Sequence, residues 1–272
     1  MATQAIAAPV HTSLWLPAVS LWWRELIRFF RQPSRWIGVL LSPVVFWLFI
    51  GAGLNRSFRA TGLPDGHGYL EYLFPGTLVL ILLFTSIFCM MSVIEDRREG
   101  FLRAVLVSPA PRASLALGKI IGGATLAVLQ GTLFLLLAPA VGVPLGLMRW
   151  AAALGAMFLI AFGLTALGFL IAWRLDSTHG FHALVNLLLV PMWLMSGALF
   201  PVSGASAWVA WAMRLNPLTY GLALLRRALY QHGPNSGDTS LWAALVVMMA
   251  FSGAAFFAGI WLANRRDARS AA

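Results

Sequence analysis

Apolar positions along the chain gather into six runs, at about 36–54, 74–94, 117–142, 150–173, 181–201 and 241–263. A helix rises about 1.5 Å per residue, so each run is long enough to cross roughly 30 Å of hydrocarbon. Most runs are bounded by Arg, Gly, Pro or a polar cluster, and none carries Asp or Glu in its middle. The pattern predicts an all-α polytopic membrane protein, with residues 1–272 forming one transmembrane domain. No internal repeat and no separate soluble unit is visible, and "VGVPLGLMR" joins the third and fourth spans as a tight hairpin.

Three segments between the runs break the pattern. Residues 1–35 form a tail and a helix around "LWWRELIRFFRQPSR". Trp22, Leu26, Phe29 and Phe30 share one side of that helix, while Arg24, Arg28, Arg31 and Arg35 lie largely elsewhere. This is the pattern of a helix in the headgroup plane, serving either as a plain juxtamembrane anchor or as a brace for a partner subunit. The second segment, "EDRREGFLRAVLVSPAPRASLALGK" from Glu95 to Lys119, packs eight charged residues between two spans. As a helix it places Phe101, Leu102, Val105 and Leu106 on one side and stops at Pro109 and Pro111. It is either a solvated loop or a rigid projection that fits a groove on another protein. The third, about forty residues between the fifth and sixth spans, is too apolar for a solvated loop and too broken for a span. There Asn216-Pro217 ends one short helical stretch and "LTYGLALLRRALY" starts another, which predicts short re-entrant or interfacial helices.

Composition agrees with the pattern. The chain is 60% hydrophobic and only 10% charged, more apolar surface than a soluble core of 272 residues can hide. The net charge of +10 comes almost wholly from Arg, spread between the apolar runs. Such a distribution sets topology and engages the headgroups of a lipid bilayer, and no nucleic acid is expected as a partner. With the N-terminus inside, 13 basic residues face the cytoplasm and 6 face out. The positive-inside rule then places both termini of this multi-pass protein in the cytoplasm. The one cysteine, Cys89, precludes an intramolecular disulfide, and "MATQAIAAPVHTSLWLP" lacks the basic n-region of a cleavable signal peptide.

Motifs for chemistry are missing where they would be needed. A P-loop requires Gly-Lys-Ser/Thr, but the only lysine, Lys119, is followed by Ile120. Neither HExxH nor G-x-S-x-G occurs. His179 and His182, beside Asp176 and Ser177, have helical spacing, yet such a pair at a helix start is ordinarily an interfacial hydrogen-bonding cluster. The reading is therefore no catalytic residue, no metal and no cofactor bound by this chain. Span interiors without a carboxylate argue against a proton-driven carrier, so uphill transport would draw its energy from a partner.

Two stretches resemble the ABC-2 type transporter permeases. Glu95–Lys119 resembles that family's cytoplasmic loop, and "LLLVPMWLMSGALFPVSGASAWVAWAMRLNPLTYGLALLR" resembles its fifth span and outer segment. "GASAW" departs from the family, which often has Pro just before the Trp. The resemblance implies a non-catalytic membrane subunit of an ABC exporter in a cell (inner or plasma) membrane. It implies a coupling helix, with Glu99, Gly100, Phe101, Arg103, Leu106 and Pro109, docked on a separate ABC ATP-binding subunit. Arg24, Arg28 and Arg31 would brace the same subunit. Pro201, Trp208, Asn216, Pro217 and Tyr220 would form an extracellular gate or re-entrant region. ATP and Mg would bind in the partner subunit, and two permeases, as a homodimer or a heterodimer with a related permease, would enclose the path. Amphipathic drugs, lipid-linked molecules and saccharides are the cargo classes this implies, with Trp193, Trp208, Trp211 and Tyr220 available to line the path. The alternative is an ATPase-independent secondary carrier or channel.

Overall fold

The structure, a computed structural model, describes residues 13–54, 68–108, 110–143, 146–230 and 239–265. Among them the regular structure is helical: α1 (Trp15–Phe30), α2 (Pro33–Leu54), α3 (Tyr69–Cys89), α4 (Met91–Arg98), α5 (Phe101–Val107), α6 (Arg112–Leu135), α7 (Leu147–Arg174), α8 (Thr178–Leu194), α9 (Ala207–Leu215), α10 (Pro217–Leu229) and α11 (Leu241–Arg265). Helix α3 is the most enclosed, packed on α2, α6 and α7, while α2 and α11 keep long apolar faces outward. In a chain whose solvent is lipid such faces need no polar cover.

Five helices are long and apolar enough to span: α2, α3 continued by α4, α6, α7 and α11. The fifth predicted span, 181–201, is shorter than expected. Helix α8 has 17 residues, about 26 Å of rise against roughly 30 Å of hydrocarbon. Its end is set by contacts made elsewhere in the chain. Ser196 turns its hydroxyl back to the Trp193 carbonyl, Gly197 takes a left-handed φ of 88°, and Asn216 Nδ2 donates to Met192 O at 2.5 Å. The third span also stops early as an α-helix, at Leu135. It tightens into a 3-10 turn at Ala138–Val141, where Pro139 offers no N–H.

The Asn216-Pro217 break is present as predicted. Pro217 occupies the first turn of α10, and Asn216 caps it by accepting from Leu218 N at 3.0 Å. Replacing Asn216 by alanine removes the cap and the bond to Met192. The expected loss is about 2 kcal/mol of stability, one for each contact. An unchanged thermal unfolding midpoint would show that the side chain does not hold this junction.

Helix α1 buries part of its apolar side on protein. Ala18, Leu21, Leu26 and Phe29 are buried, and α1 crosses α6 where Gly118 and Gly122 present no side chain. A Cβ on Gly118 would lie 2.6 Å from the Ala18 carbonyl oxygen, so the backbones approach as closely as glycine permits. Leu26 and Phe29 thus pack on protein, and Trp22 donates its indole N–H to Thr125 Oγ1 at 3.1 Å. The apolar residues left outward are Trp15, Leu16, Val19, Trp23, Ile27 and Phe30.

Candidate functional site

Helix α4 prolongs α3 beyond the offset at Met90 and carries Glu95, Asp96, Arg97 and Arg98 to one end of the bundle. Gly100, at φ 79°, then reverses the chain into α5, a conformation that costs glycine little. Pro111 leads into α6.

Asp96 lies at the centre of this charged end and is fully buried. Its carboxylate accepts both guanidinium nitrogens of Arg24, at 3.0 and 2.7 Å, and Arg28 Nη1 at 2.9 Å. Lys119 Nζ donates to Asp96 Oδ2 as well, to Glu25 Oε1 at 2.7 Å and to Ser92 Oγ at 3.0 Å. All three ammonium protons thereby have an acceptor, the condition for holding a lysine 0% exposed. Arg28 Nη2 donates to Glu95 Oε2 at 2.7 Å and lies 3.9 Å from Glu99 Oε1, so three cations face four carboxylates. The hydrogen bond to Asp96 raises the Arg24 pKa above its ordinary value, with burial opposing. The bidentate geometry is the strongest form of such a pair.

The cluster ties α1, α4 and α6 together, and α5 joins through the Phe101 ring, which lies 3.8 Å under the Arg24 guanidinium. On the other flank of α4, Arg97 donates to Trp173 O at 2.8 Å, Leu175 O at 3.0 Å and Asp176 Oδ1 at 2.7 Å. Arg98 donates to Asp176 O at 2.8 Å. Helix α4 is therefore clamped between α1 and α6 on one side and the end of α7 on the other. The described residues hold no group of three or more His, Cys, Asp and Glu suited to a metal.

The residues expected in the coupling helix divide between exposed and part-buried positions. Glu99 is exposed, and Phe101 is half-buried beneath Arg24. Leu102 is buried and Val105 half-buried, so the apolar stripe faces inward. Among the described side chains of α5, Ala104 and Val107 face outward, with Val107 87% exposed, and Ser108 just beyond the helix is also exposed. Arg103 and Leu106 belong to α5, but their side chains, like all of Pro109, lie outside the described residues. Arg24 and Arg28 point to Asp96, whereas Arg31 is exposed. Sequence reasoning missed Asp96, Glu25 and Lys119 as partners. The available signal was Lys119 itself, the only lysine among arginines and set inside a span.

At the far end, the segment after α8 is held by side chains from α3 and α10. Tyr72 and Arg226 both donate to Gly197 O, at 3.0 and 2.8 Å, and Tyr69 donates to Leu199 O at 3.2 Å. Trp193 Nε1 donates to Gly76 O at 2.8 Å. Pro201 is buried, Tyr220 donates to Arg214 O at 2.9 Å, and Trp208 and Trp211 are exposed. Of the four aromatic candidates for a path lining, Trp193 is instead enclosed by the protein.

The structure is a helical bundle with apolar spans and a buried charged cluster at one end. The profile of the ABC-2 type transporter family matches residues 18–230, and the chain belongs to that family. It is 28% identical to transport permease ycf38 of Cyanophora paradoxa, over 80% of this chain and 76% of the relative. It is 26% identical to Nodulation protein J of Sinorhizobium fredii, over 85% and 86%. A protein of Escherichia coli that carries the name multidrug ABC transporter permease YbhR is 27% identical over 66% of this chain and 48% of its own length. The chain is thus a multi-pass membrane protein, the permease subunit of an ABC transporter, and its family implies partnership with an ABC ATP-binding subunit.

Proposed function

We propose that the chain is the membrane half of an exporter whose separate ATP-binding subunit seats on α5. The observation that carries this reading is the buried cluster at Asp96, which ties α1, α4 and α6 together beside α5, whose Phe101 ring lies under Arg24. ATP and Mg bind in the partner subunit. Its closure pushes α5, and the spans rock to open a path outward between two permeases, identical or related. Arg97, Arg98 and the Asp96 cluster then face the cytoplasm with both termini, in the cell or inner membrane. The cargo class is an amphipathic drug, a lipid-linked molecule or a saccharide-type molecule. Apolar faces on the spans support it, as does the multidrug name of the Escherichia coli relative.

The tagged chain, drawn from its native membrane in mild detergent, should bring down a subunit with a Walker A motif and vanadate-sensitive ATPase activity. Elution alone and without activity after gentle crosslinking would overturn the reading in favour of an ATPase-independent carrier or channel. Val107→Asp should weaken capture of that subunit about thirtyfold, the effect of losing a contact worth about 2 kcal/mol. The side chain is exposed, so thermal unfolding of the free permease should not move. Undiminished capture would place the docking surface elsewhere.

A further inference from the structure

We propose that the groove between α1 and α6 is a site for one anionic phospholipid, its phosphate on Arg31 and an acyl chain running along α6. The groove has a volume of about 470 Å³ and is walled by Trp23, Ile27 and Phe30 of α1 and by Leu129 of α6. Its floor is the Trp22–Thr125 contact. The Thr125 hydroxyl accepts from that indole and donates to Ile121 O at 2.8 Å, so the floor's polar groups bond to one another. Arg31 is a cation on this apolar trough.

Depth fits a lipid. Helix α2 begins at Pro33 and has 22 residues, about 33 Å of rise, close to the hydrocarbon thickness. Arg31, two residues before it, therefore stands at headgroup level, and Trp22 and Trp23 are residues that favour the same level. The trough also takes in Leu129, and the exposed stripe continues along α6 to Leu133 and, just past the helix end, to Leu136, at helical spacings of four and three. A guanidinium at one end and an unbroken apolar track leading from it match the two parts of a phospholipid. A peptide would bring backbone N–H and C=O groups that this trough cannot satisfy. The site does not depend on cargo or on the ATP-binding subunit.

The test is native mass spectrometry of the full chain in mild detergent, titrated with phosphatidylglycerol and phosphatidylcholine of the same acyl composition. Wild type should retain one phosphatidylglycerol with about fivefold preference, the effect expected of one basic side chain at an anionic surface. Arg31→Gln should abolish the preference, and Leu129→Trp, which fills the trough, should lower retention of both lipids at least fivefold. Equal retention of the two lipids by wild type overturns the proposal, as does a preference that survives Arg31→Gln. If retention survives Leu129→Trp, the lipid lies outside the groove. A change of oligomeric state with Leu129→Trp, in place of lipid loss, would assign the groove to a second copy of the chain.

Discussion

Asp96→Asn is expected to cost about 3–5 kcal/mol of stability, the range for removing one partner from a buried charge cluster. The shape of the side chain is kept, so no cavity term enters and the loss is electrostatic. Its distribution among the partners can be stated in advance. Arg24 and Arg28 are 31% and 21% exposed and can turn toward water. Lys119 cannot, and it would keep only Glu25 and Ser92. Lys119→Met should therefore cost less, because Asp96 and Glu25 each retain Arg24 within ion-pair distance. The double variant should be less destabilised than the sum of the two, since the stranded ammonium is gone. Thermal unfolding in mild detergent reads all three. Strict additivity, or a loss below about 1 kcal/mol for Asp96→Asn, would mean that the cluster does not hold α1 and α4 on α6.

Much of the helical framework was legible because its signals are local. Proline at the start of α2 and α10 and Asn216 before Pro217 each impose backbone geometry within a turn of their own position, whereas the segment expected as one helix up to Pro109 is divided at Gly100 into α4 and α5. Pairing across the sequence was not legible. Arg24 and Asp96 are 72 positions apart, and Glu25 and Lys119 are 94 apart. Nothing in periodicity links them, so Arg24 and Arg28 read as surface cations when they are the inner wall of a cluster. The same limit explains α8. Its apolar run continues through Ala198, Leu199 and Phe200, and the stop comes from Asn216, 24 positions beyond its acceptor Met192. In α5 likewise, Phe101, Leu102 and Val105 pack on the bundle, which leaves Val107 outward.

Gly76→Ala, at the opposite end, is expected to cost about 3 kcal/mol and to alter transport without altering capture of the ATP-binding subunit. A Cβ at this position would lie 2.8 Å from Ala198 Cβ and 3.0 Å from the Ala198 backbone Cα and O. Ala198 cannot yield easily, because Tyr72 and Arg226 hold the carbonyl before it and Tyr69 the carbonyl after it. The strain of such overpacking is about 1–3 kcal/mol. If the segment lifts instead, Trp193 Nε1 loses the Gly76 carbonyl, and a buried indole N–H left unpaired costs about 1–3 kcal/mol. Either route moves the segment joining α8 to α9, where the family resemblance implies an extracellular gate or re-entrant region, and leaves α5 untouched. Ala198→Gly in the same chain removes the Cβ–Cβ clash but not the backbone approach, so it should restore stability in part. Full-strength transport by Gly76→Ala, with an unfolding midpoint like that of the unaltered protein, would show that this tight junction yields freely and is no gate. Partial rescue by Ala198→Gly, with cargo movement recovering in step with stability, would tie the gate to the packing of α3 against the end of α8.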